Sequence, residues 1–251
     1  MATKPKRGER VVLAVDALDG KGQGLAQMGA YTVRVRGAVP GDRVVARIGR
    51  VRHRRRQADA RKETVEQAGL ERIPPRCSHF GTCGGCLWQD VPYEEQVRLK
   101  QAMVDGCLKE AGIHVPLEPP LPAEDPFFYR NKMEFSFGNA PEGGVELGLH
   151  VPERFDRIFD LQACYLQSDR SNLIVDRMRA FVKEQCLSVY HLKRHEGLLR
   201  FLTVREGKQT GEVMVILTTS DEDLPDAEAL GKRLIEAFPE VRSVVHSINR
   251  R

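Results

Sequence analysis

The sequence predicts an α+β, multidomain chain: a small β-barrel, then a cysteine loop, then a mixed α/β domain. Three observations carry that expectation. Short alternating apolar stretches separated by Gly and Pro turns fill residues 10–60, which is strand rather than helix patterning. Three thiols fall within the ten residues from Cys77 to Cys86. Beyond them, segments of helical and strand period alternate. With 251 residues, of which 41% are hydrophobic and 29% charged, the chain is long enough for two domains with a sizeable core.

The barrel is expected to start with a strand over Val11–Val15. The glycine-rich segment from Asp19 to Gly24 follows as a hairpin turn. It lacks the Gly-Lys-Ser/Thr ending of a phosphate-binding loop, and no helical pattern comes after it. Leu25–Met28 and Tyr31–Val35 flank a turn at Gly29-Ala30. Pro40-Gly41-Asp42 turns the chain again into Arg43–Ile48. The charges from Arg50 to Lys62 are expected on the last strand and the loop beyond it.

Ile73-Pro74-Pro75-Arg76 is a stiff, extended lead into the cysteines, because each proline restricts its own residue and the one before it. A helix is expected after Asp90, with Tyr93, Val97, Val104, Leu108 and Ala111 on its apolar face and Gly112 at its end. Cys107 is expected as a buried core thiol of that helix. Residues 114–128 are a proline-rich connector. Met133–Phe137 and Val145–Leu149 read as strands about a turn at 139–144. A second helix buries Ile174, Met178, Phe181 and Val182, with Cys186 near its end as a core or boundary residue. Strands at Leu198–Val204 and Glu212–Thr218, a helix near Leu224–Phe238 and a strand at Val241–Ile248 complete the chain.

Composition narrows the function classes. No run of about 18 apolar residues exists, so no transmembrane helix is expected. The first ten residues lack the apolar segment of a secretory signal, which makes the cytoplasm the expected compartment. Clustered thiols there bind metal or do redox chemistry more often than they form disulfides. Between Arg47 and Lys62, eight Lys or Arg against Asp59 give +7, which leaves the rest of the chain at −3 of a total of +4. A basic patch on a near-neutral body points to a polyanion such as RNA, with Arg50, Arg52, Arg54, Arg55 and Arg56 as candidate contacts. Tyr31 is the one aromatic residue of the barrel segment, which argues for backbone contacts over base readout.

Thiolates converging on one point suit an iron–sulfur cluster or structural zinc. Gly84-Gly85 removes Cβ atoms that would crowd such a group and frees backbone N–H groups to face sulfur. Spacing leaves the fourth ligand open among Cys107, Cys164, Cys186 and His79. It leaves the metal open too, although the absence of a second Cys-x-x-Cys pair favours iron–sulfur over a zinc ribbon.

Asp19–Gly24 with Val39-Pro40-Gly41-Asp42 resembles a TRAM domain, an OB-like β-barrel. Cys77-x5-Cys83-Gly84-Gly85-Cys86 with Trp88, Gln89, Tyr93, Gln96 and Lys100 is similar to the cluster segment of the RNA 5-methyluridine (uracil-C5) methyltransferases. Tyr129–Gly138, Leu147–His150, Cys164 and Gly197–Arg200 continue that likeness, which covers roughly residues 8–250. It implies a TRAM-like domain over 8–67, a cluster loop over 68–91 and a central α/β domain over 92–251. It also implies a 4Fe–4S cluster on Cys77, Cys83, Cys86 and Cys164, and RNA contacts from Arg130 and Lys132.

The family's chemistry needs S-adenosylmethionine, a Rossmann-like domain to hold it, and a cysteine that adds to C6 of a flipped uracil. No glycine-rich strand-to-helix turn and no such cysteine setting occurs in these residues. The chain therefore reads as the N-terminal, RNA-recognising half of the enzyme, with the catalytic Rossmann-like domain absent and no catalytic residue assigned. Ribosomal RNA, of the 23S kind, is the expected substrate. A tRNA-directed member of the family and a stand-alone RNA-binding iron–sulfur protein are the alternatives. A radical methylthiotransferase does not fit, since its Cys-x-x-x-Cys-x-x-Cys loop is missing.

Overall fold

The structure is a computed structural model that describes residues 4–152, 154–220 and 224–250, without the side chains of Phe155 and Asp156. Residues 1–3 of the charged start and Arg251 of the basic end lie outside it. Two compact units are present: Met1–Pro75 with Leu87–Glu124, and Arg76–Cys86 with Asp125–Arg251.

In the first unit β1 (Arg10–Leu18), β2 (Gly24–Met28), β3 (Tyr31–Arg36), β4 (Arg43–Arg52) and β5 (Gln57–Gln67) form a closed barrel in the order β1-β2-β3-β5-β4. The β3–β5 pairing is parallel and the others are antiparallel. Leu13, Val15, Val33, Val35, Val44, Ala46 and Ile48 fill the barrel, on alternate positions of their strands. The first hairpin turns at Asp19, whose Oδ1 accepts from the N–H groups of Lys21 (2.8 Å) and Gln23 (2.9 Å).

The expectation that Arg50 to Lys62 fall on the last strand and the loop beyond it is corrected in part, since a further strand follows. β4 continues to Arg52, a 3₁₀ turn spans His53–Arg55, and β5 follows. Arg56 sits between them in the left-handed region, at φ +49°. Sequence reading misses β5 because its only fully buried residues are the small Ala58 and Ala60, amid charged neighbours, with Val65 half-buried against the same core. Small residues of this kind relieve crowding inside a narrow barrel.

A buried ionic knot fastens the barrel to the segment that follows it. The Asp42 side chain is fully buried and accepts from the N–H of Val39 (2.9 Å) and of Gly69 (3.0 Å). It also pairs with the Arg72 guanidinium, which reaches Asp90 at 3.0 Å. Lys62 completes the knot, at 3.3 Å from Asp90 and 2.6 Å from the Gly37 carbonyl. Gly41 and Gly69 make the approach possible, since a Cβ on Gly41 would lie 2.9 Å from the Gly69 Cα.

Helix α1 (Tyr93–Glu110) is where expected, but its packing differs. Leu99 and Met103 rest against the small core of Val39, Trp88 and Val91, whereas Val104 is 53% exposed. Gln96 Nε2 donates to the carbonyls of Trp88 and Val91, both at 2.9 Å, which decides the face that turns inward. Cys107 is consequently exposed, not the buried thiol expected.

The second unit has a six-stranded sheet in the order β11-β10-β9-β6-β7-β8. Its strands are β6 (Lys132–Asn139), β7 (Val145–Val151), β8 (Arg154–Asp160), β9 (Leu199–Glu206), β10 (Val213–Thr219) and β11 (Val241–Ile248). β10 and β11 pair in parallel, joined across α3 (Ala227–Ala237). Helix α2 (Asp169–Glu184) is capped by Ser168, whose Oγ accepts from the Ser171 N–H at 3.0 Å. Ile174, Met178, Phe181 and Val182 of α2 meet Met133, Phe135, Leu147, Leu202 and Val215 of the sheet in one core, with Leu230 and Leu234 of α3. Strand β8 is a second omission of the sequence reading. It is an edge strand with charges at Arg154, Asp156, Arg157 and Asp160, which edges tolerate and whose spacing breaks the period-2 signal. Cys186, expected at a core boundary, is exposed, with φ at +52°.

Candidate metal centre and nucleic-acid interface

The cysteine loop and Cys164 belong to the same unit. Between Cys77 and Cys86 the backbone winds through successive turns: Phe80 N–H donates to the Cys77 carbonyl (3.1 Å), and Cys83 N–H to that of His79 (2.8 Å). Gly84 N–H donates to the His150 carbonyl on β7 (3.3 Å), and a Cβ on Gly84 would sit 3.2 Å from that oxygen. Gly85 N–H points at Cys83 Sγ, 3.2 Å away, the backbone-to-sulfur contact that stabilises thiolate charge.

Cys164 lies between β8 and α2 and is 7% exposed. Asn172, one turn into α2, holds its backbone on both sides. Asn172 Oδ1 accepts from the Cys164 N–H (2.8 Å), and Nδ2 donates to the Cys164 carbonyl (3.1 Å). Burial pushes the Cys164 thiol up to about 11, and Cys86, Cys83 and Cys77 add to the rise. Burial likewise raises Cys77, with Cys86 contributing. The four thiols therefore stand within electrostatic reach of one another. Among the described residues no three His, Cys, Asp or Glu side chains are close enough to hold a metal ion. The donor set is four soft sulfur atoms, with glycine at the loop's tight point and an N–H on one sulfur. It is chemically suited to an iron–sulfur cluster.

The other three candidates for a fourth ligand are disposed differently. Cys107 and Cys186 are exposed. His79 Nε2 accepts from the Gln162 N–H at 3.1 Å, and its ring stacks on Phe159 with centroids 5.0 Å apart. Burial lowers the His79 pKa, opposed by the Asp160 carboxylate.

Sequence reasoning misses Arg76. Its guanidinium lies 5.0, 4.9 and 4.8 Å from the rings of Phe127, Phe128 and Tyr165. It thus ties the start of the cysteine loop to the segment that carries Cys164. The aromatic run Phe127-Phe128-Tyr129, together with an arginine preceding the first cysteine, is the only trace of this in the sequence.

On the barrel, Arg50, Arg54, Arg55 and Arg56 are exposed, and among the described residues none of the four is paired with a carboxylate. Arg52 differs: it pairs with Asp59 at 2.8 Å, and Arg34 shares the same carboxylate. Tyr31 is buried, its hydroxyl 2.9 Å from His53 Nδ1, and so is no open stacking platform. It lines, with Lys4, His53 and Arg56, an open hollow beside the arginines. In the second unit Arg130 and Lys132 are both exposed at the start of β6, and the Arg130 N–H donates to the Leu166 carbonyl at 2.7 Å.

A closed barrel, a mixed sheet sharing a core with two helices, and a thiol-rich loop make up this α+β chain. No protein-family model matches the chain. It is 31% identical over 245 residues to an uncharacterized RNA methyltransferase of Clostridium tetani, covering 97% of this chain and 52% of that protein. An RNA methyltransferase of Bacteroides thetaiotaomicron is 34% identical over 247 residues, covering 91% and 54%. One of Chlorobaculum tepidum is 38% identical over 217 residues, covering 80% and 44%. Among solved structures, the Pyrococcus abyssi tRNA (uracil-54, C5)-methyltransferase in complex with S-adenosyl-L-homocysteine is similar with a TM-score of 0.69 and 25% identity. That match covers 96% of this chain and 52% of that one. The chain spans about half the length of the relatives it matches. No helix among the described residues is long and apolar enough to cross a membrane.

Proposed function

We propose that this chain is the RNA-recognising, cluster-bearing portion of an S-adenosylmethionine-dependent RNA uracil-C5 methyltransferase. The observation that carries this reading is the likeness, over 96% of the chain, to an enzyme of that chemistry with S-adenosyl-L-homocysteine bound. In this reading the TRAM-like barrel over 8–67 offers Arg50, Arg54, Arg55 and Arg56 to RNA phosphates, with Arg52 held back by Asp59. Arg130 and Lys132 add contacts from the central domain. The loop over 68–91 and Cys164 hold a 4Fe–4S cluster on Cys77, Cys83, Cys86 and Cys164. When bound, the cluster supplies metal–thiolate bonds that join the loop to the turn before α2. This chain's own residues orient its ligands: Asn172 fixes the Cys164 backbone, Gly85 offers an N–H to Cys83, and Arg76 anchors the entry to the loop. No catalytic role is assigned to Cys107 or Cys186, and neither the nucleophile nor the S-adenosylmethionine site is placed in these residues. Ribosomal 23S RNA is the substrate proposed first; a transfer RNA is the second reading, favoured by the substrate of the similar archaeal enzyme.

The test is RNA binding by the anaerobically purified chain across a salt series, with a 23S fragment and an unmodified tRNA as ligands. Removing one phosphate-binding side chain should reduce the log–log slope by roughly 0.7–0.9. Arg54→Ala, Arg55→Ala and Arg56→Ala together should therefore weaken binding and flatten the slope by about 2–3 if all three touch phosphate. Unchanged affinity and slope would remove the barrel from the RNA interface. Preference for one RNA over the other decides between the two substrates.

A further inference from the structure

The second unit contains a cavity of about 350 Å³ that the cluster does not use. It lies where the ends of β6 and β9 meet the loop around Tyr190, with His150 of β7 beside it. Its chemistry is one-sided. Tyr190 and Phe201 give aromatic surface, Arg200, Lys193, His150 and His191 give basic groups, and among the described residues no Asp or Glu lines it.

Arg200 is the unusual member. It is only 9% exposed, yet among the described residues no carboxylate pairs with it. One terminal nitrogen donates to the Asn249 carbonyl at 2.7 Å. The guanidinium lies 4.4 Å from the Tyr190 ring centre and 5.9 Å from that of Phe201. Its Nε is buried with no hydrogen-bond partner among the described residues. A buried guanidinium without a carboxylate partner leaves a positive charge on the cavity wall, which favours an anionic or electron-rich ligand there.

The walls are held in place without a ligand. The Tyr190 hydroxyl is 2.9 Å from His195 Nδ1, and His191 Nδ1 accepts from the N–H groups of Lys193 and Arg194, both at 3.2 Å. Ser136 Oγ and His150 Nε2 are hydrogen-bonded at 3.2 Å on the strand side.

We infer that this cavity is a binding site for one unstacked nucleotide of single-stranded RNA. The aromatic walls receive the base beside the Arg200 guanidinium, and Lys193 at the exposed rim faces the phosphate. Three observations select this ligand class. Aromatic rings and an arginine plane are the surfaces on which unpaired RNA bases stack. The basic lining suits a phosphate. The volume falls within the range of small-ligand sites. The inference rests on the RNA-binding reading above and adds a position to it, in the second unit.

The test uses a short single-stranded RNA carrying 5-iodouridine, bound to the 251-residue chain and cross-linked by light, with the adducts mapped by mass spectrometry. Adducts on Tyr190 or Phe201 are expected. Tyr190→Leu and Lys193→Ala, both at the half-buried or exposed rim, should each weaken binding of this RNA by roughly five- to tenfold, in the range expected for removal of a stacking or phosphate-binding group. Arg200→Lys, which keeps the charge and removes the guanidinium plane, should weaken it as well; circular dichroism checks that it folds, and the rim variants carry the test if it does not. Wild-type binding that responds to the barrel arginines, with no adduct in the cavity and no change in the rim variants, overturns this inference and leaves the proposed function standing. No RNA binding by the wild type overturns both.

Discussion

Cys164 and Asn172 show how much a single helix position can do. Asn172 satisfies both backbone groups of a buried cysteine, so the thiol is presented at one place before any metal arrives. In the proposed cluster reading, the Cys164 thiol, pushed up to about 11 by burial, would have to lose its proton to bind iron. Cys164→Ala is expected to reduce iron from about four per chain to near zero, measured together with acid-labile sulfide after anaerobic purification. Asn172→Ala keeps all four thiols but frees the Cys164 backbone. It should lower iron occupancy by a large part and speed iron loss to a chelator, following the usual cost of about 10–100-fold in affinity when a supporting contact to a metal ligand is removed. Full iron in Cys164→Ala would exclude that residue as a ligand. Arg76→Ala, which removes a cation from three rings, should likewise speed iron loss, while Arg76→Lys should restore part of the retention.

At the level of elements, the β4–β5 connection carries both the charge and the strain of the barrel. Arg56 occupies a left-handed conformation that costs a non-glycine residue roughly 1–2 kcal/mol. Arg56→Gly should therefore leave thermal stability equal or slightly higher while it lowers RNA affinity, a pair of outcomes that separates the interface from the fold. Falling stability with unchanged affinity would contradict the assignment of this turn to RNA. The Asp42–Arg72–Asp90–Lys62 knot makes the opposite prediction. Asp42 accepts two backbone N–H groups and an arginine in full burial, so Asp42→Ala strands several partners at once. A destabilisation of about 3–5 kcal/mol in urea unfolding is expected, as for one-sided removal of a buried ion pair. A value below about 1 kcal/mol would mean that water or a rearranged Arg72 replaces the carboxylate.

For the whole molecule, the four thiols belong to one unit and the exposed barrel arginines to the other. The barrel has its own core of buried aliphatic residues and owes nothing to the thiols. Chelation of iron should therefore open residues 76–86 to proteolysis while residues 10–67 stay protected, as read by mass spectrometry of the fragments. Equal protection of the cysteine loop with and without chelator would show that its turns, including the Gly84–His150 bond, hold it unaided.

Much of the local structure was legible because it is written in neighbouring residues. Alternation in Tyr31–Arg36 and a helical stripe at Ile174, Met178, Phe181 and Val182 both announce a buried face, and the structure has those faces. Strands β5 and β8 were not legible. Their inward residues are small or interrupted by charge, so only pairing with other strands defines them. The same limit applied to the candidate sites. By itself the sequence determined the crowding of three cysteines, the glycines between two of them, and the density of arginine from Arg47 to Arg56. Which side chains are free or paired was decided by tertiary structure alone. Arg52 is paired with an Asp59 carboxylate that Arg34 shares, Cys107 is turned to solvent by the packing of α1, and among the described residues Arg200 is buried without a carboxylate. Each outcome depends on groups far apart in the chain, whose meeting is fixed by packing and hydrogen bonding across the fold and leaves no periodic trace in the sequence.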